Sequence, residues 1–192
     1  MAVAAAVGLA SVAAVGAEPL SAQASPSSAA AFVEASLGLS TLHEKAAWTA
    51  SGTALLSVTP RFALGGAGTV VLGSHTLSGA DPGTDLELRT ALGGLVGQLE
   101  LHRRDDRAVW IRLLAGAGNA KMDLAVVGTQ IASDNFGVIV PEVGATLRLV
   151  GPIRLGGALG YRATFGVEDL PGLAPSDLRG PSARLLVAVH RF

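Results

Sequence analysis

The chain has 192 residues, of which 49% are hydrophobic and only 15% charged; this leaves room for one domain and excludes an ordinary disordered protein. Fourteen Lys and Arg stand against fifteen Asp and Glu, so there is no electrostatic footprint for nucleic acid. The absence of Cys excludes disulfide staples, thiolate catalysis and Cys-based metal sites.

The first predicted element is an apolar run from Ala2 to Gly16, followed by Glu18, Pro19 and Ala22-Gln23-Ala24. Small residues at the −3 and −1 positions are what signal peptidase requires, so residues 1–24 are expected to be a cleaved export signal and 25–30 a short Ser/Ala/Pro leader. No Lys or Arg precedes the run, so only the amino terminus supplies positive charge there. The run is shorter than the roughly 20 apolar residues a spanning helix needs, and charged residues interrupt every later apolar stretch. A membrane role for the rest of the chain therefore falls to strands.

From residue 31 onward the chain alternates between apolar and small or polar residues, in segments separated by Gly, Pro, Asp and Asn. Eight strands are expected near 31–41, 53–64, 68–78, 85–101, 107–123, 135–149, 152–168 and 181–192. In the first, Val33, Ala35, Leu37 and Leu39 oppose Glu34, Ser36 and Gly38; in the second, Leu56, Val58, Pro60, Phe62 and Leu64 oppose Leu55, Ser57, Thr59 and Arg61. In the segment from Asp85 to Leu101 the apolar phase changes at Gly93-Gly94. A β-bulge there would restore a common face for Glu87, Arg89, Gln98 and Glu100. Later, Ile111, Leu113 and Ala115 oppose Trp110, Arg112 and Leu114; Ile139, Pro141 and Val143 oppose Val140, Glu142 and Gly144; Leu155, Leu159 and Tyr161 oppose Arg154, Ala158 and Arg162. Short connections around Gly66, Asp105 and Gly151 alternate with longer ones at 43–52, 79–84, 124–134 and 169–180.

Charge placement distinguishes a soluble barrel, apolar inside, from a membrane barrel, apolar outside. One face carries Glu34, Glu87, Glu100, Glu142 and Glu168 with Arg61, Arg89, Arg112, Arg148, Arg154 and Arg162, among Gly, Ala, Ser and Thr. Water outside would favour Lys and long polar residues, yet the mature chain has only Lys45 and Lys121. Small residues mixed with Arg and Glu suit a narrow interior in which charges pair. An Arg facing lipid at midplane would cost about 2 to 4 kcal/mol, so the charged set is expected to line the lumen.

The export signal, eight alternating strands and a last strand ending in Phe192 together resemble the small eight-stranded outer-membrane β-barrels of the OmpA and OmpX type, across residues 31–192. The resemblance implies an all-β, antiparallel, up-and-down transmembrane barrel in the bacterial outer membrane, surrounded by outer-membrane lipid. It also implies that the barrel-assembly machinery reads the C-terminal strand through Phe192. If Phe192 faces lipid, Arg184 shares its side and lies near the opposite interface. The aromatic girdle is thin, its candidates being Phe32, Trp48, Phe62, Trp110, Phe136, Tyr161, Phe165 and Phe192.

No catalytic constellation emerges. His43, His75, His102 and His190 are scattered, and neither Ser74-His75 with a distant Glu nor His43-Glu44 with Asp81 or Asp134 follows a recognised pattern. Gly65-Gly66-Ala67-Gly68 lacks the Lys-Ser/Thr of a phosphate loop. No catalytic residue, cofactor or metal is expected. The leading reading is a non-enzymatic envelope barrel with a filled polar lumen, structural or acting through its loops. The alternatives are a lipid-modifying outer-membrane enzyme and a soluble, lipocalin-like secreted barrel.

Overall fold

Alternating β-branched, Leu and small residues form strands because each strand can bury one face and turn the other outward. The structure, a computed structural model, describes residues 30–42, 45–73, 75–77, 86–124, 130–167 and 175–191. The expected export signal, residues 1–24, and Phe192 lie outside the described residues. The strands are β1 (Ala31–Leu42), β2 (Lys45–Ser57), β3 (Phe62–Leu72), β4 (His75–Leu77), β5 (Leu86–Arg103), β6 (Arg107–Leu124), β7 (Gln130–Val150), β8 (Ile153–Phe165) and β9 (Gly180–Arg191), with a 3-10 turn at Pro175–Leu178. Among the described residues there is no α-helix.

Every pairing among the described residues is antiparallel, and, except for β3 and β4, which do not pair with each other, neighbours in sequence are neighbours in the sheet. The first and last strands pair from Ala31↔Arg191 to Ser40↔Ser182, and β3 pairs with β5, which closes the ring. β4 pairs with β5 in line beyond β3, after a break at Gly73, whose φ of 83° an L side chain rarely adopts. The result is a closed eight-stranded barrel in which β3 and β4 share one strand position.

Three element boundaries differ from the sequence expectation. Of the segment 43–52, expected to be a loop, residues 45–52 are strand, because β2 begins at Lys45 and pairs along the whole of β1. The first short turn is Val58–Arg61 rather than the region of Gly66. Pro60 cannot donate to a ladder, and the Thr59 hydroxyl accepts from the Phe62 amide at 3.0 Å, which holds the turn. There is also no bulge at Gly93-Gly94: β5 keeps one register with β6 from Leu86 to Glu100 and with β3 across the glycines. Gly94 lies opposite Gly116, and a Cβ on either would strike the other's backbone. The irregularity in β5 falls between Glu100 and His102.

The apolar residues face outward. Leu95 is 77% exposed and Leu185 72%, and Val33, Leu37, Leu56, Leu113, Val143, Leu147, Leu159 and Val187 are similarly open. Inside, the barrel is filled in layers: Leu42, Leu88, Met122, Phe136, Val138 and Leu178 near the loop end, charged and hydroxyl side chains at the middle, and Phe32, Trp110, Leu186 and Ala188 nearer the short turns. Phe32, Trp110 and Phe136 therefore belong to the interior, not to an aromatic girdle. Of the girdle candidates, Trp48, Tyr161 and Phe165 are exposed on the outside. Val167 has the parity of the outward Tyr161 and Phe165 and falls within the span 152–168 expected as the eighth strand, but it is buried, because β8 ends at Phe165 and Gly166, at φ 74°, redirects the chain.

Candidate functional site: the filled lumen

The centre of the lumen is organised by Arg112, which β6 points inward between Trp110 and Leu114. Its Nη1 and Nη2 donate to Glu34 Oε1 and Oε2 at 2.9 and 2.8 Å, a two-pronged pair across the barrel from β1. Its Nε and Nη2 also donate to Gln98 Oε1 on β5, at 3.0 and 2.6 Å. The guanidinium lies 4.3 Å from the Trp110 ring centroid, in cation–π range. From the other wall, Arg184 on β9 donates to Glu142 at 2.5 Å and to Ser36 Oγ at 3.3 Å, and approaches Glu34 at 3.3 Å. Two guanidiniums and two carboxylates thus neutralise one another. Burying such charges is costly unless every partner is present, and bidentate geometry with further donors supplies that condition.

Arg162 serves a different structure. Its Nε donates to the Leu178 carbonyl at 2.6 Å and its Nη2 to the Thr41 carbonyl at 2.7 Å, tying the 3-10 turn to β1. Arg179 donates from Nε and Nη2 to the Thr164 carbonyl at 3.0 and 2.8 Å. Together they seat Leu178 as an apolar plug at the loop end.

The other residues expected in the lumen are dispersed. Arg154 is buried near the short-turn end, while Glu100 binds Arg103 there and Arg148 is exposed at the same rim. Arg61 is exposed in the Val58–Arg61 turn rather than on a strand. Arg89 faces outward, 3.8 Å from Asp123, because Leu88 and Thr90 take the inner positions of a β5 that runs in one register through Gly93-Gly94. Glu87 belongs to β5, but its side chain and Glu168 lie outside the described residues.

Arg184, expected on the side of a lipid-facing Phe192, is instead interior, and the outer face of β9 is Leu185, Val187 and Val189. The signal was available in the alternation of those three apolar residues and in two carboxylates, Glu34 and Glu142, with one central Arg between them.

Two small voids flank the network. One, of about 50 Å³, is lined by the hydroxyls of Ser40, Thr49, Thr53 and Ser182 with Arg112 and Arg184; the other, of about 10 Å³, lies by Gln98, Trp110 and Thr146. At roughly 10 to 15 Å³ per water, neither holds more than a few waters. Among the described residues, no three His, Asp or Glu are grouped to hold a metal. His102 is exposed near the short-turn end, whereas His43 and the side chains of His75 and His190 lie outside the described residues.

No protein-family model matches the chain, and no curated protein matches it in sequence. Solved structures do match in shape. Neisserial surface protein A, at 12% identity, covers 84% of this chain and 94% of its own with a TM-score of 0.55. The attachment invasion locus protein Ail of Yersinia pestis, in complex with the heparin analogue sucrose octasulfate, is 10% identical and covers 85% of this chain and 97% of its own with a TM-score of 0.52. At such identities the likeness is one of fold: the chain is an eight-stranded, antiparallel, up-and-down transmembrane β-barrel, built as the small bacterial outer-membrane barrels are.

Proposed function

We propose that the protein resides in a bacterial outer membrane as a non-enzymatic barrel whose lumen is closed by paired side chains, and that it acts through its structure or through the connections at its long-loop end. The observation that carries this reading is the sorting of residues by face. Leu, Val and Ile cover the outer wall, while Glu34, Arg112, Glu142 and Arg184 neutralise one another within. A lipocalin-like soluble barrel requires the reverse facing and a ligand-sized interior, and the central lumen has voids of only about 50 and 10 Å³. The fold shared with Ail and Neisserial surface protein A supports the same reading.

Short turns face the periplasm in such barrels, which assigns Val58–Arg61, Arg104–Asp106 and Gly151–Pro152 to that side and the connections after β6 and β8 to the exterior. With β2 beginning at Lys45, the connection after β1 is too short to serve as a binding loop. The C-terminal strand, ending in Phe192, would present the barrel to the assembly machinery, and a cleaved signal over residues 1–24 would deliver the chain to it.

The test is membrane fractionation of the expressed chain, followed by electrophoresis of boiled and unboiled detergent extract. Recovery from the outer membrane with a heat-dependent shift supports the reading. A soluble periplasmic product with no shift overturns it.

A further inference from the structure

Five ionisable side chains meet around the larger void of the lumen. Arg112, Glu142, Arg162 and Arg184 line it, and Glu34 is bound by Arg112 and approached by Arg184. Arg112 and Arg184 balance Glu34 and Glu142, which leaves Arg162. This side chain is only 5% exposed, and its two acceptors, the carbonyls of Leu178 and Thr41, carry no net charge. Among the described residues no carboxylate pairs with it: Asp177, next to Leu178 in the 3-10 turn, forms no ion pair with it, and Glu142 is held by Arg184. Its Nη1 has no acceptor among them either. The rest of the wall is short of acceptors too, since Arg184 Nε, Ser40 Oγ and Thr53 Oγ1 are all buried without a hydrogen-bond partner. Each of these atoms can donate a hydrogen, and a donor shielded from water without an acceptor is costly. A buried cation without an anion is costlier still.

We propose that this void is a binding site for a small monovalent anion of the halide class, with Arg162 and Arg184 as its charged donors and Ser40 and Thr53 as its hydroxyl donors. One negative charge balances three guanidiniums against two carboxylates. A spherical anion accepts hydrogen bonds from any direction, which suits donors arriving from β1, β2, β8 and β9. The space, about 50 Å³, fits such an ion with a few waters and excludes large anions. The ion would also tie the 3-10 turn, through Arg162, to the central charge network.

The experiment follows thermal unfolding of the folded full-length barrel in non-ionic detergent, while sodium chloride or sodium bromide replaces sodium gluconate at constant ionic strength. Gluconate is too large for the void and serves as the excluded anion. A saturable rise in the midpoint is expected with both halides. Arg162→Met removes the rise, Ser40→Ala weakens the apparent halide affinity about tenfold, and Arg104→Ala, in an exposed turn at the opposite end, leaves it unchanged. If Arg162→Met does not fold, Ser40→Ala and Thr53→Val, which keep every charge, decide the matter. The proposal is overturned if neither halide raises the midpoint above gluconate, water alone then filling the void, or if the folded variants at Arg162, Ser40 and Thr53 all respond as the wild type does.

Discussion

Arg112 is a charge that the fold can tolerate only with all of its partners in place. Glu34, Gln98 and the Trp110 face occupy it from three sides, and Glu142 is 3.9 Å from its Nη1. Arg112→Met leaves Glu34 buried with one remaining guanidinium, Arg184, shared with Glu142. Breaking such a pair costs about 3 to 5 kcal/mol, so the urea midpoint of the vesicle-inserted barrel should fall accordingly. Neutralising Glu34, Arg112, Glu142 and Arg184 together should cost much less than this single change, since no charge is left without its partner. Gly144 makes a steric counterpart. A Cβ there would overlap the Trp110 ring, so Gly144→Val should destabilise by about 1 to 3 kcal/mol and alter the Trp110 fluorescence.

At the scale of the element, each outward residue carries a cost set by its depth. Leu159 lies in the middle of β8, whereas Leu149 lies one residue from the end of β7 at the short-turn rim. Leu159→Arg should therefore cost about 2 to 4 kcal/mol and Leu149→Arg about 0 to 1, measured as unfolding free energies in the same lipid. The alternation in β1, β6, β7 and β8 could be read directly, because one apolar phase runs through each. β5 could not, since Leu88 and Leu92 are apolar and face inward, in the layer of the lumen that Met122, Phe136 and Leu178 also fill. A rule assigning every Leu to lipid then forces a bulge where the strand is regular. The ladder between β7 and β8 has its own local cause of irregularity. Pairing is absent between Ile139↔Ala163 and Glu142↔Gly160, at the position where Pro141 lacks an amide hydrogen.

For the whole molecule, closure makes the lumen a packed core rather than a passage. An eight-stranded barrel is about wide enough to be filled by side chains, and here the charged network of Glu34, Arg112, Glu142 and Arg184 shares the interior with two apolar clusters. In planar lipid bilayers the wild-type barrel should show no steady porin-like conductance; stepwise conduction at neutral pH would contradict a lumen closed by the Arg112 and Arg184 network. By itself the sequence determined that the chain follows a β pattern from residue 31 onward, which residues alternate, and that Glu34, Arg112 and Glu142 share a face, because period-two alternation is a local property of the strand. Only the tertiary structure decided that Arg184 completes their charge balance, that Arg89 faces outward, that Trp110 packs inside, and that Arg154 lies against Arg148. Those outcomes depend on inter-strand register and on depth along the barrel axis. Both are fixed only when β9 closes onto β1, from residues 148 positions apart in the case of Ser36 and Arg184.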